Sequence, residues 1–418
     1  MGARNRELWN LIVVGLLMSA GFASVYIARQ EQISSGSLTA AGFFFALYLI
    51  AHIVARYTVP YADSYLLPLG GLLTAIGLTE IYRLNPDDAF RQGTWVVVGV
   101  AIFSLTLIAL RRDYRRLESY KYLFGIASIL LLALPALPHF GATVNGARLW
   151  VRIGSLQFQP GELAKIFLIV FLAAYLREKR EVLAQGRIKD YGPLLAIWGA
   201  AMLVLIETHD LGSALLFFGI FLAMVYVATG RAVVALIGVV LFLGGSYVVY
   251  QHTARVKERV EVWLDPYKYA HDQGYQTLQG LYSIAHGAFG GTGLGKGTFT
   301  TTTGQQIIPY ANTDFIYSAL AQELGLIGVA ALVLVYMLVV LRGMRVALLA
   351  DDGFSKLLAA GLTFGFALQT FIIVGGVVRI IPLTGITMPF VSYGGSSLLS
   401  NFLLLAGLML VSNRSNRP

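Results

Sequence analysis

Apolar residues in this chain gather in runs of about 20, separated by polar connections, and this alternation predicts its elements. A run of that length crosses the hydrocarbon core of a bilayer as one α-helix, because the core is about 30 Å thick and a helix rises 1.5 Å per residue. Twelve such runs are present, centred on Leu8 to Ile27, Leu38 to Val54, Ser64 to Tyr82, Trp95 to Leu110, Tyr122 to Leu137, Glu162 to Leu176, Pro193 to Ile206, Leu211 to Ala228, Val233 to Tyr250, Asp314 to Leu341, Lys356 to Val377 and Ser396 to Val411. The expectation is an all-α polytopic membrane protein of about twelve transmembrane helices. The first run is too long for a signal peptide and lacks a small-residue cleavage site, so it reads as a retained span.

Composition agrees: 57% of residues are hydrophobic against 13% charged, and mean hydropathy is +0.70, outside the range of soluble domains. The net charge of +9 adds an orientation. Short loops rich in Lys and Arg stay on the cytoplasmic side, and every second connection is basic. Arg4 and Arg6 precede the first span; Arg111, Arg112, Arg115, Arg116 and Lys121 fill one loop, and Arg177, Lys179, Arg180, Arg187 and Lys189 the next. Arg231, then Arg342, Arg345 and Lys356, then Arg414 and Arg417 complete the series, which predicts both termini in the cytoplasm. Basic residues split among short loops exclude a nucleic-acid surface. The absence of cysteine excludes disulfide and thiolate chemistry.

With that orientation three long connections lie outside: His139 to Gln159, Gln251 to Asn312, and Val378 to Gly395. Loops of that length in an otherwise economical chain usually carry function. In the largest, Val256, Val260, Trp263 and Leu264 recur at helical spacing among Arg255, Lys257, Glu258, Arg259 and Glu261. That pattern fits a helix lying in the membrane interface or one packed on the protein. The stretch GGTGLGKG, Gly290 to Gly297, nearly matches a phosphate-binding P-loop, but Gly297 stands where the Mg²⁺-ligating hydroxyl belongs and no buried strand precedes it. A glycine turn whose N–H groups meet a phosphate, with Lys296 as a point charge, is the alternative. The six histidines show no ligand spacing, so no dedicated metal site is expected.

Charged residues at the mouths of spans are costly in lipid and therefore informative. Glu162 and Lys165, three apart behind Pro160, share a helix face. They read as a structural ion pair or as a fixed cation for an anionic substrate group. Asp210 opens the eighth span and Asp314 the tenth, where a carboxylate caps free N–H groups. From Asp314, the residues Tyr317, Ser318, Ala321 and Gln322 continue a partly polar stripe, which suggests the wall of an outward cavity with the aspartate as general base. Glu323 points to the opposite side.

The segments NGARLWVRIGSLQFQPGELAK, DLGSALL, VEVWLDPYKYAHDQGYQTLQGLYSIAHGAFGGTGLGKG, NTDFIYSALAQELGLIG and IPLTGITMPFVSYGGSSLLSN resemble, in this order, the SEDS proteins (shape, elongation, division and sporulation), the family of the RodA and FtsW glycan polymerases. The resemblance covers Tyr61 to Val411. It implies a ten-span core over 61–418, with 251–312 as its large outer loop between spans nine and ten, and an added N-terminal two-helix hairpin over 1–60. The VRIIPLTGIT segment is closer to the twelve-span, RodA-like branch.

The resemblance further implies a peptidoglycan glycosyltransferase of the bacterial cytoplasmic membrane that polymerises lipid II on the outer face during cell elongation. Its partners would be a class B penicillin-binding protein and other elongation-complex membrane proteins, without nucleic acid. The family's essential aspartate falls on Asp314. Arg148, Arg152, Lys165, Lys296 and Arg379 would supply cations for the lipid diphosphate, with Glu162 positioning Lys165 and Asp210 nearby. A divalent cation, Mg²⁺ or Mn²⁺, suits Asp210 or Asp314, though no cage of oxygen ligands is visible. Asn312, Tyr317 and Gln322 depart from the family's His, Phe and Glu, and Thr208-His209 from its Gln-Pro. The alternatives are a division-type polymerase of the same family and a lipid-linked precursor transporter, for which inverted repeats or paired broken helices would be expected and are not found.

Overall fold

The computed structural model describes residues 2–28, 35–137, 141–144, 147–153, 156–184, 192–208, 210–299 and 307–417. The elements are α1 (Ala3–Ala28), α2 (Ser35–Thr58), α3 (Leu66–Leu84), α4 (Pro86–Leu110), the single turn α5 (Arg116–Ser119), α6 (Lys121–Ala133), β1 (Gly141–Val144), β2 (Ala147–Ile153), β3 (Leu156–Phe158), α7 (Pro160–Ala184), α8 (Gly192–Glu207), α9 (Leu211–Thr229), α10 (Ala232–His252), α11 (Ala254–Leu264), α12 (Tyr275–Gly287), α13 (Ile316–Leu349), α14 (Gly353–Val377) and α15 (Gly395–Ser415). Each apolar run falls on a helix. Eight of the helices, namely α1, the Thr39–Thr58 part of α2, α4, α9, α10, α13, α14 and α15, are long and apolar enough by themselves to cross a membrane. The expected spans on α6 and α8 are shorter, and α3 and α7 carry Glu80, Arg83, Glu162 and Lys165. Arg187 and Lys189 of the expected basic loop, and His209, lie outside the described residues.

Local chemistry sets the helix ends. Asn85 caps α4 by accepting from the Asp87 and Asp88 amides, with Pro86 in the first turn. Asp352 caps α14 through the Ser355 amide at 2.9 Å. The core is one continuous apolar cluster to which the first two helices also contribute, through Leu11, Val14, Met18, Phe22, Phe44 and Tyr48. The hairpin is therefore packed as part of the bundle: Tyr26 stacks on Tyr82 of α3 at 5.5 Å, and buried Glu7 accepts from Arg4 at 2.6 Å and lies 2.7 Å from His52 Nδ1. Between α4 and α15, Gly99 leaves the space that the Phe402 ring fills.

Two features differ from an all-α expectation of plain helices and loops. The connection ahead of α7 contains a three-stranded antiparallel sheet, with Val144 opposite Ala147 and Val151 opposite Phe158. Buried Val151 and exposed Arg152 alternate across it as a strand's period of two requires. The described residues of the long connection between α10 and α13 are also largely structured, as α11 and α12.

The helix α13 is broken at Gly325, whose φ of 66° and ψ of −173° are non-helical. The break is closed by the glycine turn after α12. Thr292 and Gly293 amides donate to the Gln322 and Glu323 carbonyls at 3.0 and 2.9 Å, and the Leu326 and Ile327 amides donate to Ala288 and Phe289 carbonyls at 2.9 and 3.2 Å. Backbone groups that a membrane helix frees at a break are thereby satisfied by protein. Any side chain at Gly325 or Gly291 would collide with the backbone of the other segment.

Candidate active site

Asp314 lies in a turn that is pinned from two directions. Asn312 donates to Asp88 at the start of α4, at 2.8 Å, while its carbonyl accepts from the Tyr393 amide at 2.8 Å. The Ser392 hydroxyl donates to the Thr313 carbonyl at 2.6 Å. The helix that follows has Phe315 at its N-cap and no side-chain capping bond. Asp314 therefore does not cap α13, which corrects the capping expectation: its carboxylate is left free of the helix amides. The side chain is partly accessible, and one carboxylate oxygen lies 3.3 Å from where a β-carbon on Gly385 would stand. A side chain there would crowd the carboxylate by a few tenths of an ångström, and the φ of 75° independently favours glycine. Burial pushes the Asp314 carboxyl above the ordinary aspartate range, opposed by a hydrogen bond with Thr313 and by the charge of Arg259.

Asp210, in contrast, is a true N-cap: it is buried and accepts from the Ser213 amide at 3.0 Å. Burial raises its carboxyl too, and the negative charge of Glu162 adds to the rise while Arg259 opposes it. Glu162 and Lys165 form the expected pair at 2.8 Å on α7. Buried Lys165 also donates to Gln369 at 2.6 Å, and Gln369 in turn donates to the Thr387 carbonyl at 3.0 Å. Both of these contacts bind the lysine to protein.

Arg259 on α11 is the residue that the sequence reading passed over. Its guanidinium donates to the Thr384 carbonyl at 3.0 Å and lies in the field of both Asp314 and Asp210. Burial lowers its own pKa, and the two aspartates raise it. Lys165, Glu162, Asp210, Arg259 and Asp314 thus form one chain of neighbouring charges under the loop that carries Thr384, Gly385 and Thr387. The Thr384 and Thr387 hydroxyls are buried and have no hydrogen-bond partner among the described residues. The signal for Arg259 was in the sequence, but it stands among five charged residues of an amphipathic helix and nothing there distinguishes it.

The remaining predicted cations make no hydrogen bond or ion pair with this cluster among the described residues. Arg148 and Arg152 are exposed on one face of β2 and make no ion pair among the described residues. Arg379 is engaged structurally: its guanidinium donates to the Trp263 carbonyl at 3.2 and 2.8 Å and to Leu264 at 3.2 Å, and the Trp263 indole donates back to the Arg379 carbonyl at 3.0 Å. The α11 helix is consequently docked on the protein. Lys296 is exposed at the glycine turn. There the Gly295 and Gly297 amides donate to Glu323 at 2.7 and 3.1 Å, so the donors of the expected phosphate nest are already taken by a carboxylate. Glu323 also meets Arg83 at 2.6 Å, and Arg83 lies over the Phe299 ring.

The polar stripe is likewise corrected. Tyr317, Ser318, Ala321 and Gln322 are buried, so the stripe is not an exposed wall. The stripe packs on α12, where a β-carbon on Gly280 would lie 2.7 Å from the Phe315 ring and 3.1 Å from the Ser318 hydroxyl. Among the described residues no group of three or more His, Cys, Asp or Glu side chains gathers to hold a metal.

Residues 62–417 match the FtsW/RodA/SpoVE family, described as cell cycle proteins. The peptidoglycan glycosyltransferase RodA of Mycobacterium tuberculosis is 41% identical over 437 residues, covering 99% of this chain and 92% of that protein. The probable peptidoglycan glycosyltransferase FtsW of Geobacter metallireducens is 33% identical over 363 residues, or 84% of this chain and 95% of its own. Among solved structures, a chain from a peptidoglycan synthase complex that coordinates polymerization and crosslinking superposes with a TM-score of 0.72 at 29% identity, covering 85% of this chain and 99% of that one. The Thermus thermophilus rod shape determining protein RodA superposes with a TM-score of 0.61 at 27% identity over 85% of this chain and 98% of that one.

Proposed function

Because the chain belongs to the FtsW/RodA/SpoVE family, whose relatives include peptidoglycan glycosyltransferases, we propose that this multi-pass membrane protein is a peptidoglycan glycosyltransferase that polymerises lipid II with Asp314 as its general base. The carrying observation is the geometry of that carboxylate: uncapped, partly accessible, open over Gly385, beside Arg259, and made more basic by burial. Asp314 takes the proton of the acceptor sugar's 4-hydroxyl as that oxygen bonds to the donor's anomeric carbon. The bond from that carbon to the lipid diphosphate breaks, the electron pair leaves with the diphosphate, and the α linkage becomes β. One base and one cationic environment suffice for such an inverting displacement. Arg259 provides the near positive charge, and Lys165 adds its charge from behind the Glu162 pair. Arg148 and Arg152, exposed on β2, are suited to contact the substrate's outer phosphates or peptide.

The orientation is the one the basic loops predict, with twelve spans, both termini in the cytoplasm and Asp314 outside. A class B penicillin-binding protein is the partner, consistent with the likeness to a chain of a peptidoglycan synthase complex. Transport gains no support: α13 is the only described helix with an internal break, and protein closes it.

The test is polymer yield from lipid II by the purified full chain, with and without its transpeptidase partner. Asp314→Asn should lower the rate by on the order of 10²- to 10⁴-fold while melting temperature and partner binding persist. Near-normal polymer from that variant would overturn the assignment.

A further inference from the structure

A second cavity lies away from Asp314. A space of about 780 Å³ opens where the start of α1, the end of α2, the turn before α3 and the ends of α13 and α15 converge. Arg345 in its wall lies at the far end of α13 from the Asp314 turn, roughly 30 Å of continuous helix beyond the Gly325 break, a length that puts the two sites on opposite membrane faces in the proposed orientation. Five guanidinium groups line it, those of Arg4, Arg6, Arg56, Arg342 and Arg345, against one carboxylate, Asp63.

Two of the five are committed to the protein. Arg4 bonds to Glu7 at 2.6 Å and to the Ala62 carbonyl. Arg342 lies 3.4 Å from Asp63 and 4.2 Å over the Tyr65 ring. Arg6, Arg56 and Arg345 are exposed to the cavity side of the molecule and have no ion-pair partner among the described residues; Arg56 makes one bond, 3.3 Å to Asn5. Like charges gathered around one space repel unless an anion joins them, and planar guanidinium forks match phosphate oxygens.

We propose that this cavity binds a phosphate-bearing polyanion, supplied by the headgroup of an anionic phospholipid in the cytoplasmic leaflet. The rim argues for a lipid source. Tyr61 and Leu349 line the cavity and are 46% and 47% exposed, and Tyr57, one residue from Arg56, is 79% exposed. Aromatic and aliphatic groups of this kind belong at headgroup level, and basic pockets between helices on the cytoplasmic side suit anionic headgroups. Bound there, the anion ties Arg6 and Arg56 of the N-terminal hairpin to Arg345 of α13. It would thus join the segment that precedes the family-matched residues 62–417 to the core.

The test uses the full chain in neutral detergent, titrated with diphosphatidylglycerol, with phosphatidylcholine, and with inorganic pyrophosphate. The readouts are melting temperature and lipid retained in native mass spectrometry. Diphosphatidylglycerol should be retained and raise the melting temperature, and phosphatidylcholine should not. The double variant Arg6→Gln/Arg345→Gln, at exposed positions that hold no ion pair, should weaken the apparent affinity by about 25-fold, about fivefold for each arginine. Arg111→Gln/Arg112→Gln, exposed basic residues outside the cavity, should leave it within about twofold. An equal response to pyrophosphate with the same dependence on Arg6 and Arg345 would keep the anion site and assign it a soluble ligand. Equal lipid binding by wild type and Arg6→Gln/Arg345→Gln, or an equal loss in the Arg111→Gln/Arg112→Gln control, would overturn the site.

Discussion

Two carboxylates stand at the ends of the short helical segment that begins α13, and their surroundings are opposite. Glu323 is fully engaged: it pairs with Arg83, accepts from the Gly295 and Gly297 amides and has an unexposed side chain. Asp314 has a neighbouring arginine as well, yet that guanidinium bonds to the Thr384 carbonyl, and the carboxylate keeps an open flank over Gly385. A carboxylate whose lone pairs are all taken fixes structure, since its proton affinity and position are already committed. One held in place by its backbone while its oxygens stay available is prepared for proton transfer. Near-identical residue pairs, Arg with an acidic partner, thus serve different ends according to what else reaches the oxygens.

The contrast is tested most severely at the satisfied site. Glu323→Ala takes away the carboxylate 2.6 Å from Arg83 and the acceptor of two amides, so unfolding free energy should fall by about 3–5 kcal/mol. Thermal unfolding measures this, and polymer yield per folded molecule should survive better than in Asp314→Asn. An unchanged melting temperature would mean that the glycine turn does not depend on the clasp.

Next in size is Arg259→Gln, for which polymerisation should fall by roughly 10²-fold at its optimum. The variant also has a pH signature. As the proposed base, Asp314 works only when ionised, and burial raises its pKa, so activity should be present above that pKa and be lost as pH falls through it. Arg259 holds the pKa down; without it the acid limb of the rate profile should move to higher pH. A profile that keeps its acid limb would separate Arg259 from the titrating group.

The smallest effect belongs to Asp210→Asn. Asparagine caps nearly as well as aspartate, so stability should change by less than about 1 kcal/mol, and turnover should fall far less than in Asp314→Asn. A loss matching that of Asp314→Asn in a parallel polymer assay would promote Asp210 from cap to participant.

Much of this architecture was legible because a bilayer dictates the length of what crosses it, so apolar runs predict helices even where Glu80 or Lys165 interrupts them. The Glu162–Lys165 pair was legible for a similar reason: a spacing of three puts both on one helical face. The sheet before α7 was not, since its strands are only a few residues long, although Asn145-Gly146 is a strong hairpin signal in the sequence. The glycine turn misled in an instructive way. Its pattern advertises free amides, but whether they await a phosphate or meet Glu323 depends on a partner about thirty residues away that only tertiary structure brings near. The expected capping role of Asp314 failed by a single residue, because α13 begins after Phe315, and helix ends are where sequence patterns are least sharp.

The break at Gly325 has a mechanical meaning for the long apolar part of α13 that follows it. In an unbroken helix, each added residue would turn everything beyond it by about 100°, so any change of length or winding deep in the bilayer would swing the Asp314 turn. Here the rotational phase is reset: Leu326 and Ile327 are clamped to Ala288 and Phe289, and the segment ahead of the break is clamped through the Gln322 and Glu323 carbonyls. Torsion generated between Leu326 and Leu349 should therefore stop at that joint, so that the Asp314 turn keeps its own frame of reference.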